Sequence, residues 1–390
     1  MKKSNINEFL FVLYLFLFSL LKIVTSNFPQ LSTYLLLASV ISILSFSLLY
    51  NKLILNIRIL FFVFTILFLL GIDLLFRRNI ELDNYVYNFI IYCMITMYLF
   101  SLVHNKKQVL IYYSYFSFVL FILYFWDPFV GYMFTTDYMS FGFNFMLPAF
   151  TGLYIGGKYL NIKWMKIISF FAFIEVVIFA NKGSALAALF IVFLFNVIPI
   201  KKSINKKSVI IKGTFLYGII FIGCYLVWNN LTNMLNFLIN LTDKLNFNSY
   251  SLSTFKNMLI YNSFEIGLTG REILWQKAIE YFKINFLIGN GTAAFHSSFG
   301  VYPHNFILEI ITSYGLLGLC VFFIIWSRSF KVMLNSAFYD KIFYMIIFSL
   351  WFIPLFFSLN IFESKEFWVF MIIGFKEIHA VVKKSTKTHY

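Results

Sequence analysis

Along the chain, long apolar runs alternate with short polar and basic stretches. A helix needs roughly 20 mostly apolar residues to cross the hydrocarbon core of a bilayer. Segments 9–25, 31–50, 57–76, 85–103, 109–126, 141–157, 164–180, 184–200, 208–228, 305–327, 340–359 and 361–381 meet that description. They predict an all-α fold: a polytopic transmembrane helical bundle of about 12 spans. The longest interval between runs, 229–304, predicts one large extracytoplasmic loop containing short amphipathic helices. The expected layout is therefore spans 1–9 in 1–228, the loop in 229–304, spans 10–12 in 305–382, and a tail at 383–390. The first run, Phe9 to Val24 after Lys2 and Lys3, has no small-x-small cleavage site and reads as an uncleaved first helix.

Composition supports this reading. Hydrophobic residues make up 61% and charged residues 12% of the chain, whereas a soluble domain carries about 25% charged residues. The net charge of +15 would ordinarily raise nucleic-acid binding. Here the Lys and Arg residues sit in short clusters between apolar runs, the pattern that sets membrane orientation, so nucleic acid is not an expected partner. Placing Lys52, Arg58, Lys106, Lys107, Lys158–Lys166, Lys201–Lys212, Arg328–Lys341 and Lys383–Lys387 inside makes both termini cytoplasmic. Glu81, Asp83, Asp127 and Asp137 then lie outside, with Arg77 and Arg78 as the main exception to the rule. Cys93, Cys224 and Cys320 all fall inside apolar runs, which supports neither a disulfide framework nor a Cys-rich metal site. No internal repeat marks a transporter built from two similar halves.

Ionisable groups are costly in a bilayer and are functional candidates by default. Asp73, Asn144, Glu175 and Glu309 all fall near the outer ends of their spans, at depths below roughly 8 Å for a rise of 1.5 Å per residue. Each alone could snorkel or bond to a neighbouring helix; together they predict a cavity opening outward.

In the loop, Leu231, Leu235, Leu238, Leu241 and Leu245 recur at helical spacing and predict an amphipathic helix, packed on the protein or on lipid. Thr269 and Glu272 form a capping box that starts a second helix. On it Leu274, Trp275, Ala278, Ile279, Tyr281 and Phe282 form one apolar arc with Arg271 at its centre. A guanidinium aimed with aromatics needs a partner: an anionic ligand gripped by its planar fork, an ion pair to Glu309 or Glu265, or stacking on Trp275. Gly289-Asn290-Gly291 is a turn that could form an anion nest. His296, Tyr302, Pro303, His304 and Asn305 lead into span ten, where Asn305, Glu309 and Thr312 share a face. His304 could act as a general base or hold a phosphate; it could also simply cap the span.

Taken in order, Gly270-Arg271-Glu272-Ile273-Leu274-Trp275, Leu287-Ile288-Gly289-Asn290-Gly291, Pro303-His304-Asn305-Phe306-Ile307-Leu308-Glu309 and Tyr314-Gly315-Leu316-Leu317-Gly318 resemble the O-antigen polymerase/ligase module. Where that family often has Arg-Gly at the outer start of a preceding span, this chain has Asn181-Lys182-Gly183-Ser184-Ala185, which keeps the charge but not the fork. Gly183 and Ala187 have the spacing that lets helices pack closely. The resemblance implies a glycosyltransferase of the bacterial inner membrane, acting at the outer leaflet on undecaprenyl-pyrophosphate-linked oligosaccharide, with neither metal nor cofactor. It implies that Arg271 and Lys182 neutralise the pyrophosphate, that His304 activates the acceptor hydroxyl, and that Glu309 and Asn305 assist it. Tyr302 and Asp73 are further substrate-binding candidates, and Arg77 and Arg78 are candidates for a second lipid pyrophosphate. Membrane lipid and a chain-length regulator are the other expected partners. Polymerisation of repeat units is the favoured activity, ligation of polysaccharide to lipid A-core the alternative. A flippase of the same lipid-linked sugars is the reading from another class; it would need charged residues through the bilayer centre.

Overall fold

The computed structural model describes residues 5–51, 56–77, 79–198 and 271–376, with scattered positions between 233 and 260. All regular structure among the described residues is helical. In chain order the helices are α1 (Ile6–Asn27), α2 (Ser32–Asn51), α3 (Ile57–Phe76), α4 (Leu82–Leu102), α5 (Lys106–Tyr124), α6 (Leu147–Tyr159), α7 (Lys163–Phe179) and α8 (Lys182–Val197). They continue with α9 (Arg271–Ile284), α10 (Ala294–Phe299), α11 (Phe306–Asn335), α12 (Phe338–Phe352), α13 (Pro354–Phe357) and α14 (Lys365–Lys376). Among the described residues, seven helices or helix pairs are long and apolar enough to cross a membrane: those beginning at Ile6, Pro29, Ile57, Leu82, Lys106, Phe306 and Phe338. The chain is a multi-pass membrane protein. α8 is apolar but shorter, and the expected ninth span and the five leucines of the expected loop helix lie outside the described residues.

The helices gather into two compact units, one formed by 1–116 with 273–390 and the other by 117–272. Lipid tails are as apolar as a protein core, so these helices are held by close packing and interhelical hydrogen bonds. In the first unit, Trp351 is fully buried among Phe306, Phe348, Phe367 and Phe370. Lys365 crosses to α1 and donates to the Leu15 carbonyl at 2.6 Å, its ammonium lying over the Phe18 ring. Ser329 on α11 donates to Met371 on α14. The outward faces of α2 and α3 expose Ile41, Leu49, Phe61 and Phe68, as a lipid-facing surface requires.

In the second unit, α6 and α7 form a tight hairpin. A Cβ on Gly157 would meet the Lys166 backbone at 2.7 Å, so only glycine permits that approach. Gly142 likewise lets the π-helical turn Phe141–Met146 press against Ser184 at the head of α8. At the other end of α8, Lys158 donates to Asn196 at 2.7 Å and to the Phe195 carbonyl at 3.3 Å. A cation there offsets the exposed carbonyls of the helix terminus.

Candidate functional site

The site in the first unit is built around a break in α11. Gly315 takes φ 64° and ψ −162° inside an otherwise helical run, so the carbonyls and N–H groups on either side of it lose their helical partners. The segment 286–291 replaces them. Asn290 and Gly291 donate their N–H groups to the Thr312 and Ser313 carbonyls, both at 2.9 Å. Leu316 and Leu317 donate theirs to the Phe286 and Leu287 carbonyls at 2.9 and 3.1 Å. The two strands of backbone touch so closely that a Cβ on Gly289 would meet Ser313, and one on Gly315 would meet Leu287, both at 2.4 Å. The Gly289-Asn290-Gly291 turn is therefore no anion nest: the amides of Asn290 and Gly291 are spent on the broken helix, and that of Gly289 donates to the Asn285 carbonyl at 2.8 Å.

This join fixes the next residues against the end of α3. Thr292 donates its N–H to Asp73 at 2.7 Å, and its hydroxyl shares a 2.7 Å hydrogen bond with Tyr314. Asn79 donates to the Thr292 carbonyl at 2.8 Å. Asp73 also pairs with Arg77 one turn along α3, at 3.3 Å; the Asp73 side chain is only 6% exposed but that of Arg77 is 32% exposed. Asp73 thus anchors loop and arginine, and its carboxylate is committed to protein partners. Arg78 lies outside the described residues.

At the head of α11 the side chains divide their labour. Asn305 is the N-cap, accepting from the Ile307 and Leu308 amides at 3.0 and 3.3 Å, which satisfies the first turn. Thr312 donates back to the Leu308 carbonyl at 2.8 Å. The expected polar face of Asn305, Glu309 and Thr312 is therefore partly spent on its own helix, as small polar side chains commonly are. Glu309 differs. It is 4% exposed; one carboxylate oxygen accepts from the Ile361 amide at 3.3 Å, and the other is buried with no hydrogen bond from the described residues.

His304, immediately before the cap, adopts φ +53°, and its ring packs 4.2 Å from that of Tyr302. The Tyr302 hydroxyl donates to the Ser358 carbonyl. The cap is Asn305, so His304 does not cap the helix. Tyr302 also faces His296 at 6.2 Å, and His296 faces Tyr85 at 6.0 Å. Tyr85 lies within electrostatic reach of Glu309 and within hydrogen-bonding reach of Asn360. His304, Tyr302, His296, Tyr85, Glu309 and Asn360 form one linked cluster. Sequence reasoning gave no role to Tyr85, Asn360, Thr292 or Tyr314. Their place depends on contacts between distant parts of the chain, for which local spacing holds no signal.

Helix α9 is tied to this cluster by Trp275, whose indole N–H donates to the Pro303 carbonyl at 3.1 Å. Tyr281 packs on Phe295 and Phe299, and Ala278 is fully buried. The expected apolar arc holds for these positions, but Ile279 points away and is exposed. Thr269 lies outside the described residues, and the described helix opens at Arg271.

In the second unit, Asn181 caps α8 by accepting from Ser184 at 2.9 Å, and Lys182 follows at the first helical position. Lys182 feels Arg271 as a like charge. The two cations that the resemblance assigns to one pyrophosphate are thus electrostatically coupled. Gly183 and Ala187 are buried, as close packing of this helix requires. Glu175 is buried with one oxygen that receives no hydrogen bond from the described residues, whereas Asn144 is exposed and bonded to Ser140. Among the described residues, no three His, Cys, Asp or Glu side chains are grouped to hold a metal ion.

The first unit therefore gathers a buried carboxylate, histidines and tyrosines at the head of one membrane-spanning helix. Residues 167–323 match the family model described as O-antigen ligase, so over that stretch the chain is similar to that family. The matched stretch runs from α7 through the break in α11 and contains Lys182, Arg271, His304 and Glu309. No curated protein and no solved structure matches the chain.

Proposed function

We propose that this protein is a membrane glycosyltransferase that joins undecaprenyl-pyrophosphate-linked oligosaccharide repeat units at the outer leaflet of the bacterial cytoplasmic membrane, as an O-antigen or related surface-polysaccharide polymerase. The observation that carries the reading is Glu309, a buried carboxylate with one oxygen that receives no hydrogen bond from the described residues, within a cluster that includes His304. In this scheme an acceptor sugar hydroxyl attacks the anomeric carbon of the donor. The bond from that carbon to the pyrophosphate oxygen breaks, and undecaprenyl pyrophosphate leaves. Glu309 or His304 takes the hydroxyl proton, the work of a general base. Arg271 and Lys182 neutralise the charge that grows on the pyrophosphate, as cationic clamps do in phosphoryl chemistry. The proposal includes about twelve spans, both termini in the cytoplasm, and the long loop outside. A chain-length regulator is the protein partner we expect.

The matched family's description as ligase favours a second reading, transfer of finished polysaccharide to lipid A-core. A deletion strain separates the two. Loss of long polysaccharide with single repeats still attached supports polymerase. Loss of all attached sugar, with polymer building up on the lipid carrier, indicates ligase.

A further inference from the structure

Beside the break in α11 lies an apolar cavity of about 340 Å³, lined among others by Phe62 and Leu69 on α3, Ile288, Leu317 and Val321 on α11, and Trp368 on α14. We propose that this cavity seats the head-proximal part of a polyprenyl tail, with the phosphate end of that lipid at Arg77. The inference rests on the reading of the protein as an enzyme of lipid-linked sugars and adds a tail site to it.

The first argument is continuity between the cavity and a cation. Tyr314 lines the cavity and is hydrogen-bonded to Thr292, which is bonded to Asp73, which holds Arg77. The polar end therefore begins where the apolar slot ends. Asp73 engages Arg77 through Nη1, and a Cβ on Gly291 would strike the arginine side chain at 2.5 Å, so the guanidinium is held from two sides. A guanidinium has five N–H donors arranged to grip phosphate oxygens.

The second argument is shape. Beyond the break, Leu317, Val321 and Ile325 recur every four residues on α11, a stripe about 12 Å long at 1.5 Å per residue. Leu317 and Val321 are 52% and 54% exposed, so the slot opens sideways and a tail can enter from the bilayer. Its volume is at the low end of the roughly 300–1,000 Å³ of ligand pockets, which suits one chain better than the two of a phospholipid. A polyprenyl phosphate carries its charge directly at the end of a single chain; a diacyl lipid sets its phosphate beyond a glycerol that branches into two.

The test is photo-crosslinking of full-length protein in phosphatidylethanolamine/phosphatidylglycerol nanodiscs with a diazirine-bearing polyprenyl phosphate, mapped by peptide mass spectrometry. Label should fall on 317–325 and 367–371, be displaced by undecaprenyl phosphate, and resist the same excess of phosphatidylglycerol. Val321→Trp and, independently, Leu317→Trp should each cut labelling at least tenfold in protein that elutes as a single species. Arg77→Gln should raise the concentration of undecaprenyl phosphate needed for displacement at least fivefold. Leu49→Trp, on the exposed face of α2, should change nothing. Label elsewhere, equal displacement by phosphatidylglycerol, or full labelling in both Trp variants would overturn the proposal. Glu309→Gln separates the two readings: it should abolish sugar transfer and keep the label. Sugar transfer with an unlabelled cavity would contradict the tail site alone.

Discussion

Glu309 and its neighbours show how residue type and position divide between structure and chemistry. Asn305, Glu309 and Thr312 share a helix face in the sequence, yet Asn305 and Thr312 bond to their own backbone, and Glu309 keeps an oxygen without a hydrogen bond among the described residues. Glu309→Gln preserves volume and removes the base. It should lower sugar transfer at least a hundredfold, the usual scale of general base catalysis, with protein level unchanged on an immunoblot. His304→Ala should do the same, and normal polymer in either variant would show that the residue is not catalytic. For Arg271, the comparison of Lys with Ala tests geometry against charge. If the fork grips pyrophosphate in a bidentate way, Arg271→Lys should lose most of the activity lost in Arg271→Ala, because an ammonium is a point charge. The sequence pointed to Glu309, His304 and Arg271 because each stands out in its apolar or aromatic surroundings. Tyr85 and Asn360 were not legible: each is unremarkable within its own segment and gains meaning only when α4 and 358–364 meet the head of α11.

Among the elements, the broken helix α11 decides the geometry. Tyr314-Gly315-Leu316-Leu317-Gly318 reads as continuous span, since glycine is frequent in transmembrane helices and marks no break by itself. The turn at Gly289-Asn290-Gly291 was legible as a turn, but its partner lies across the fold. Discontinuous helices in transporters expose backbone groups to an ion or substrate. Here four such groups beside Gly315 are bonded to 286–291, which removes that support for a flippase. Gly315→Ala and Gly289→Ala each place a Cβ on a left-handed residue and into backbone at 2.4 Å. The conformational cost of such positive-φ positions alone is about 1–3 kcal/mol, before any clash. Both variants should lower the thermal unfolding midpoint in detergent, whereas Gly300→Ala, which meets open space at φ +73°, should lower it less.

For the whole molecule, hydropathy fixed the class and located most helices, because the requirement to satisfy every backbone group in lipid leaves little choice but a helix. The positions of α1, α2, α3, α5 and α12 follow the apolar runs closely. The division of the chain into 1–116 with 273–390 and 117–272 was not legible, since packing between distant segments leaves no periodicity to read. The proposed orientation makes its own prediction. A cysteine replacing Asn84, at the start of α4, should react in intact cells with a maleimide that cannot cross the membrane, and one replacing Lys107, at the start of α5, should react only after the cells are opened. The opposite pattern would invert the topology. The most direct test of the central claim is reconstitution of the purified protein in proteoliposomes with undecaprenyl-pyrophosphate-linked repeat units, EDTA and no nucleotide sugar. Wild-type protein should produce a ladder of lengthened chains on the lipid carrier, and Glu309→Gln should leave only single repeats. Single repeats alone with well-folded wild-type protein, or equal ladders from both proteins, would contradict the account.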